Sequence, residues 1–530
     1  MQTSDATTSA WAPLRIRVFR ALWLAVLVAN IGDWMQTVGA QWLLVHQPHA
    51  SILVSLVQTA DLLPILLVGL PAGVLADIVD RRWLLIIDQG VLVIVGTSLT
   101  VLTIAGQMSP ALLLLFTFVL GSAAAIGTPA YQALIPDIVP RPEVRAASAL
   151  GAININLARS VGPAIAGVLI ARIGVGAVFA VNTVTFVIFG LVLIAWHPPA
   201  RTAPVFPERF VAALRAGGRY VRYSPVVRRI LLRSALFLGP ASALWALLPL
   251  IASERLALGA GGYGLLLGAL GAGAVIGALM LPQIVSRLSG NAMVVAASAV
   301  YTVALLVLVL VRNTAVVLLI LVPTGVVWIA ILATMNSTMQ LFLPAWVRAR
   351  GLSIFQMALF GAQAFAALAW GLIAAQVGLV ATFLIAAALM VAGVATSRRW
   401  PLVDTTGMDR DVAAYWPEPH LVLESEPQGG PVVVVQRYTV APDNERPFLE
   451  AMERVRHSRM RTGATQWGLF RDGEIAQRFV ELFVVPSWEE HLRQHSERQT
   501  GTDRQNEQRA LALSTTPPDV SHLVAAEIDQ

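Results

Sequence analysis

Three ionisable side chains, Asp33, Asp61 and Arg159, stand inside long apolar runs. Ions at membrane depth are costly unless paired or wetted, so such residues tend to line substrate or ion paths. A carboxyl there can exchange a proton, and a guanidinium can compensate charge. At a rise of 1.5 Å per residue, Asp33 lies ~18 Å along the first run and Arg159 ~20 Å along the fifth, both entered from one side. Asp61 lies ~15 Å into the second run, entered from the other side. All three thus approach mid-membrane, and they are the proton-coupling candidates. Protonation of Asp33 would release an ionic partner and bias the carrier between two open states; a static buried ion pair is the competing reading. Asp88 lies nearer an end and ranks below them. The second half of the chain has no comparable charge, and Trp245, Trp328, Asn336, Gln356 and Gln363 are its substrate-lining candidates.

Near the C-terminus, His491 and His495 have the i, i+4 spacing of metal ligands. No third ligand or general-base Glu stands in a zincin arrangement, so they read as solvated surface histidines. No metal, cofactor or catalytic residue is expected. Cysteine is absent, which excludes disulfides and thiolate sites.

The elements that must position these residues are membrane spans. The chain has 530 residues, 56% hydrophobic and only 13% charged, with mean hydropathy +0.70. Lipid must solvate most of it. Segments long enough to span run over 21–45, 51–76, 83–106, 110–134, 146–171 and 175–196. Six more run over 229–252, 262–285, 291–312, 314–341, 350–375 and 379–397. The basic excess (net charge +6) flanks these segments instead of forming a nucleic-acid surface. Arg81, Arg82, Arg141, Arg145, Arg287, Arg348 and Arg350 fall in loops of one side, with the N-terminal arginines. The positive-inside bias puts both termini in the cytoplasm, in a multi-pass protein of the inner (plasma) membrane.

The chain repeats itself. Gln132-Ala-Leu-Ile-Pro136 matches Gln340-Leu-Phe-Leu-Pro344, and Val144-Arg145-Ala146 matches Val347-Arg348-Ala349. Two related six-helix halves follow. The expected organisation is an N-terminal half (1–196), a central loop with an interfacial amphipathic helix (197–228), a C-terminal half (229–400) and a Pro/Gly/Glu-rich linker (401–430). A soluble cytoplasmic domain (431–530) ends the chain. Strand-like Val432–Val440, helical Asn444–Arg461, strands at 465–470 and 475–485, a helix from Ser487 with Glu490 at the capping-box position, and a strand at 520–526 give that domain a small α+β sandwich.

Gly73-Val-Leu-Ala-Asp77-Ile-Val-Asp80-Arg81-Arg82 closes the second span. It suits a conformational latch: glycine for a close approach, Asp77 as acceptor at a helix end, and arginines at the interface. In the fifth span, Arg159-Ser-Val-Gly162-Pro163-Ala-Ile-Ala-Gly167 combines small residues with a kinking proline. The Gly73–Arg82 segment resembles the loop signature of the major facilitator superfamily, with Ile78 and Asp80 departing from it. The fifth-span segment is similar to the superfamily's antiporter signature, associated with export, although Thr117 replaces that branch's fourth-helix arginine.

With Asn30-Ile-Gly-Asp33-Trp34 and Tyr263-Gly264, the first 400 residues resemble the bacterial branch containing the enterobactin exporter. The tail resembles ferredoxin-like dimeric α/β-barrel monooxygenases of antibiotic biosynthesis. The resemblance implies an all-α membrane protein of twelve transmembrane helices with a C-terminal ferredoxin-like α+β domain. It also implies proton-coupled export of a siderophore, drug or secondary metabolite, with protons, the cargo and membrane lipid as partners and no nucleic acid. Dimerisation through the tail is a further expectation. An uptake permease of the same fold, or a transporter fused to a cargo-modifying or sensing module, are the alternatives. No phosphate-cradling Gly-Lys-Ser/Thr follows the glycines of 259–277, so ATP-driven pumping is not expected.

Overall fold

A computed structural model describes residues 11–196, 210–403, 408–409 and 430–525, without the side chains of 70, 73–78, 141, 145, 210–216, 345 and 349. Among the described residues, eleven helices are long and apolar enough to cross a membrane. The first six are α1 (Arg17–Leu44), α2 (Ala50–Ile78), α3 (Arg81–Ile104), α4 (Pro110–Ile138), α5 (Val144–Arg172) and α6 (Val175–Ala195). After the amphipathic α7 (Phe210–Tyr223) come α8 (Pro225–Leu250), α9 (Ala260–Arg287), α10 (Gly290–Leu310), α11 (Thr314–Phe342) and α12 (Ala345–Ala395). Gly378 breaks α12 with φ 81°, ψ 165°, a left-handed conformation that glycine tolerates. The break falls between the two last segments expected from hydropathy, so twelve passes result.

By compactness the chain forms two units. The first comprises 1–203, 231–335 and 356–401, and the second comprises 204–230, 336–355 and 402–530. In the first unit, glycines set how closely helices cross. A Cβ on Gly264 of α9 would sit 2.5 Å from Pro163 O of α5 and 3.0 Å from Gly167 Cα. A Cβ on Gly271 would sit 2.4 Å from Ser160 Cα. The glycine-rich eighth span is therefore a packing seam between the two halves.

Toward the end opposite the arginine-rich loops, side chains also close the seam. There Tyr263 of α9 donates a hydrogen bond to Gln41 of α1. Its ring also stacks on Trp42 at 6.0 Å and 17°. Nearer the basic end of α5, Ile153, Ile155 and Leu157 are exposed. Arg233 of α8, only 2% exposed, bonds Gly393 O, Thr396 O and Trp400 O, satisfying carbonyls at the end of the last pass.

In the second unit a four-stranded antiparallel sheet combines β1 (Val432–Thr439), β2 (Gln466–Arg471), β3 (Arg478–Val485) and β4 (Asp519–Val524). The strand order is β2-β3-β1-β4. With α13 (Glu445–Thr462), α14 (Trp488–Arg493) and α15 (Gly501–Leu511) on the connections, this is the ferredoxin-like β-α-β-β-α-β arrangement. α15 was not expected from the sequence. A full capping box starts it, Thr500 and Asp503 each bonding the other's backbone N–H. The box expected at Ser487 forms only halfway: Ser487 Oγ accepts from Glu490 N, while the Glu490 carboxylate pairs with Arg498 at 2.7 and 2.8 Å. Arg461 of α13 lies 5.7 Å from the Tyr220 ring of α7, and Arg498 lies 5.0 Å from the Trp346 ring.

Candidate functional site

Arg159 enters the membrane unit from α5 beside α1. Its guanidinium lies over the Trp34 ring at 5.4 Å, and its Nε and Nη1 are buried without a hydrogen-bond partner. The expected pairing with a carboxylate is absent: among the described residues no ion pair joins Arg159 to Asp33 or Asp61. The local geometry explains this. Gly162, one turn beyond Arg159, lets α5 close on α1, a Cβ there meeting Trp34 Cβ at 2.7 Å. The indole of Trp34 thus takes the place next to the cation that Asp33 was expected to fill. A cation over an indole face gains about 0.5–2 kcal/mol, which does not replace a hydrogen-bonded counter-ion.

Trp34 carries the site across to the second half. Its ring is 6.2 Å from Trp245 of α8, which is 5.2 Å from Trp328 of α11. Tyr301 of α10 lies 5.9 Å from Trp328 and 5.1 Å from Phe237. Arg159 and Tyr301 are also within electrostatic reach of one another. Five helices from both halves therefore converge on one cation and a set of aromatic rings. The indole N–H of Trp245 and the hydroxyl of Tyr301 are buried near one another, yet neither completes a hydrogen bond. Each such group costs about 1–3 kcal/mol unless something bonds it. The arrangement can hold an apolar or aromatic molecule with an acceptor, or a negative group, directed at Arg159.

Asp33 lies on the same helix as Trp34 but keeps solvent access. Asn182 of α6 is within hydrogen-bonding reach of its carboxyl, and Asp61 of α2 is within electrostatic reach. Asp33 thus has a second carboxyl and a neutral amide as neighbours, and no described ion pair joins it to Arg159. Asp88 is buried, accepts from Gln89 at 3.3 Å and is also within electrostatic reach of Asp33.

Of the other lining candidates, Gln363 is buried and Gln356 exposed. Asn336 follows Trp328 by 336 − 328 = 8 residues on α11, a rise of about 12 Å. The aromatic cluster thus takes in Trp245 and Trp328 but not these three. Trp34, Phe237 and Tyr301 were missed, and their only signal was an aromatic ring at mid-span depth.

The latch candidates divide. Gly73 is described only by its backbone place in α2, and the Asp77 side chain lies outside the description. Asp80 caps α3, accepting from Trp83 N at 3.0 Å. Arg81 donates to Ala133 O and pairs with Asp137 of α4 at 3.3 Å, and Arg82 donates to Leu193 O and Ile194 O of α6. Arg81 and Arg82 thus tie α3 to α4 and α6, while Asp80 caps α3. Of the antiporter-like residues, Gly162 brings α5 onto α1, while Pro163 and Gly167 bring it onto α9.

The tail corrects one expectation. His491 and His495 are buried, not solvated, and His522 of β4 joins them.

The family described as transmembrane secretion effector, within the major facilitator superfamily, matches residues 8–530, tail included. The chain belongs to this family. Among its relatives are the Staphyloferrin A transporter of Staphylococcus aureus, 27% identical over 42% of this chain and 56% of that protein. The multidrug efflux pump Tap of Mycobacterium tuberculosis is 29% identical over 39% and 51%. The chain thus spans little more than half the length of these relatives. A solved POT family transporter in complex with 5-aminolevulinic acid superposes with TM-score 0.57, at 12% identity, over 73% of this chain and 97% of that one. A bacterial Spinster homologue in an inward-facing, occupied conformation gives 0.56 at 16% identity, over 74% and 98%. The two solved structures show the fold alone, and the family match makes the chain a multi-pass membrane protein of the superfamily.

Proposed function

We propose that the chain exports an amphipathic small molecule bearing an anionic or acceptor group, driven by proton entry, with both termini in the cytoplasm. The carrying observation is Arg159: a buried guanidinium with two unpartnered N–H groups, set among aromatic rings from both halves. Such a cation is stable only if a cargo or water supplies acceptors, and a site contributed by both halves is where alternating access needs it.

Asp33 and Asp61 exchange the coupling proton. When both are ionised they repel one another; protonation removes that repulsion and favours the other open state. The closed end, at Gln41 and Tyr263, is extracellular in this reading, so the state seen is the one that loads from the cytoplasm. The exporting relatives support the direction. The described latch residues, Asp80, Arg81 and Arg82, hold α3 to its own half while the halves rock.

Inside-out vesicles test this. An inward-acid pH gradient should drive uptake of carboxylated or macrolide probes by the wild-type chain, and Asp33→Asn should uncouple uptake from the gradient. Probe movement in the opposite direction makes the chain an uptake permease. Unchanged transport in both Asp33→Asn and Arg159→Gln removes the coupling and recognition roles together.

A further inference from the structure

We propose that the tail holds a divalent transition-metal site whose three protein ligands are His491, His495 and His522. Candidate ligand nitrogens from the three rings all lie within 4.8 Å of one another. Nitrogens on a tetrahedral Zn2+ lie about 3.3 Å apart, so rotation of the side chains closes the set. Ring centroids are 4.5 Å apart for His491 and His495 and 5.0 Å for His491 and His522.

Two independent features of the fold build this cluster. His491 and His495 share one helical face, and the helix widens into a π turn over Gln494–Arg498, a distortion frequent at functional sites. His522 arrives from the edge strand, fixed by its register opposite Val434 of β1. Gln494 comes near the fully buried His491, yet neither ring nitrogen of His491 completes a hydrogen bond. A histidine buried for structure alone would be expected to satisfy at least one.

The surroundings fit a neutral-imidazole site. Trp488 and Phe483 pack against His491 and exclude water on one side. His522 is only half-buried, which leaves an entry path and room for a fourth ligand. The cationic influence of Arg459 is neutralised by Glu481 at 3.2 Å and Glu507 at 2.7 Å. The neutral imidazole is the form that coordinates a metal. Three nitrogens without a carboxylate select Zn2+, Cu2+, Ni2+ or Co2+ over Mg2+ and Ca2+.

The test uses the full chain, purified in detergent through an affinity tag that contains no histidine. Equilibrium dialysis against Zn2+ with elemental analysis should find about one metal per chain, and Co2+ should give the visible bands of a low-symmetry nitrogen site. His522→Ala, at the half-buried edge, should weaken Zn2+ by at least about 100-fold, and His491→Phe with His495→Leu should abolish binding. Because the buried substitutions can perturb folding, the wild-type unfolding midpoint supplies a second readout: Zn2+ should raise it and Mg2+ should not. Zinc retention that is equal in the wild type and in the three-histidine variant overturns the site. So does retention that disappears only when His46 and His49 are replaced.

Discussion

Two arginines, Arg159 in the membrane unit and Arg459 in the tail, are buried in opposite ways. Arg459 is 2% exposed and fully engaged: Glu481 and Glu507 flank it, and Glu481 also accepts from Tyr438 and the Trp467 indole. Arg159 has an indole face and two bare N–H groups. The same charge is thus a structural keystone where its counter-ions are built in, and in the proposed function a recognition group where they are withheld. A satisfied network holds one conformation, whereas an unsatisfied cation in a carrier keeps a place for a visitor.

The largest effect should come from breaking the satisfied case. Arg459→Met leaves two carboxylates buried against one another and should destabilise the tail by about 3–5 kcal/mol, read by denaturant unfolding followed through tail tryptophans. Replacing the unsatisfied cation should do the reverse, sparing stability and removing function. Arg159→Gln should weaken binding of an anionic cargo by about 10–100-fold, the worth of a charge-assisted hydrogen bond, while the unfolding midpoint holds or rises. If Arg159→Gln instead unfolds the membrane unit, the contrast between the two arginines fails.

A smaller effect is expected at Trp245, where Trp245→Phe removes the unpartnered N–H but keeps a ring; cargo affinity should fall by less than about tenfold, measured by tryptophan-quench titration. The smallest concerns pH. Burial pushes the Asp503 carboxyl up, but Arg461 beside it and bonds from Ser458 and Thr500 outweigh that and hold it below the usual carboxylate range. The stability it contributes is present above pH ~4 and lost as pH falls through its folded value, so Asp503→Asn should flatten the acid limb of tail stability without altering transport.

The twelve passes were legible because hydropathy alone decides what lipid will solvate, and even the break at Gly378 fell where two apolar segments met. The β-α-β-β order of the tail was readable from strand alternation. α15 was hidden: it is mostly polar, and its Thr500-Asp503 box has Asp where Glu or Gln was sought. The neighbour of Arg159 was not legible because depth along a helix is written in the sequence but rotation about it is not. For Trp34 and Asp33, adjacent residues about 100° apart on α1, rotation decides which one meets the cation. His522 could not be joined to His491 and His495 without the register of β4 on β1.

The coupling claim is open to one direct measurement, because the chain has no native cysteine to remove. Spin labels on His46→Cys and Ala257→Cys report the separation of α1 and α9 at their closed end, by double electron–electron resonance across a pH series. The account predicts a second, longer distance that grows as pH falls in the wild type and is present at every pH in Asp33→Asn. A single distance unaffected by pH, or a pH response equally large in Asp33→Asn, would contradict it.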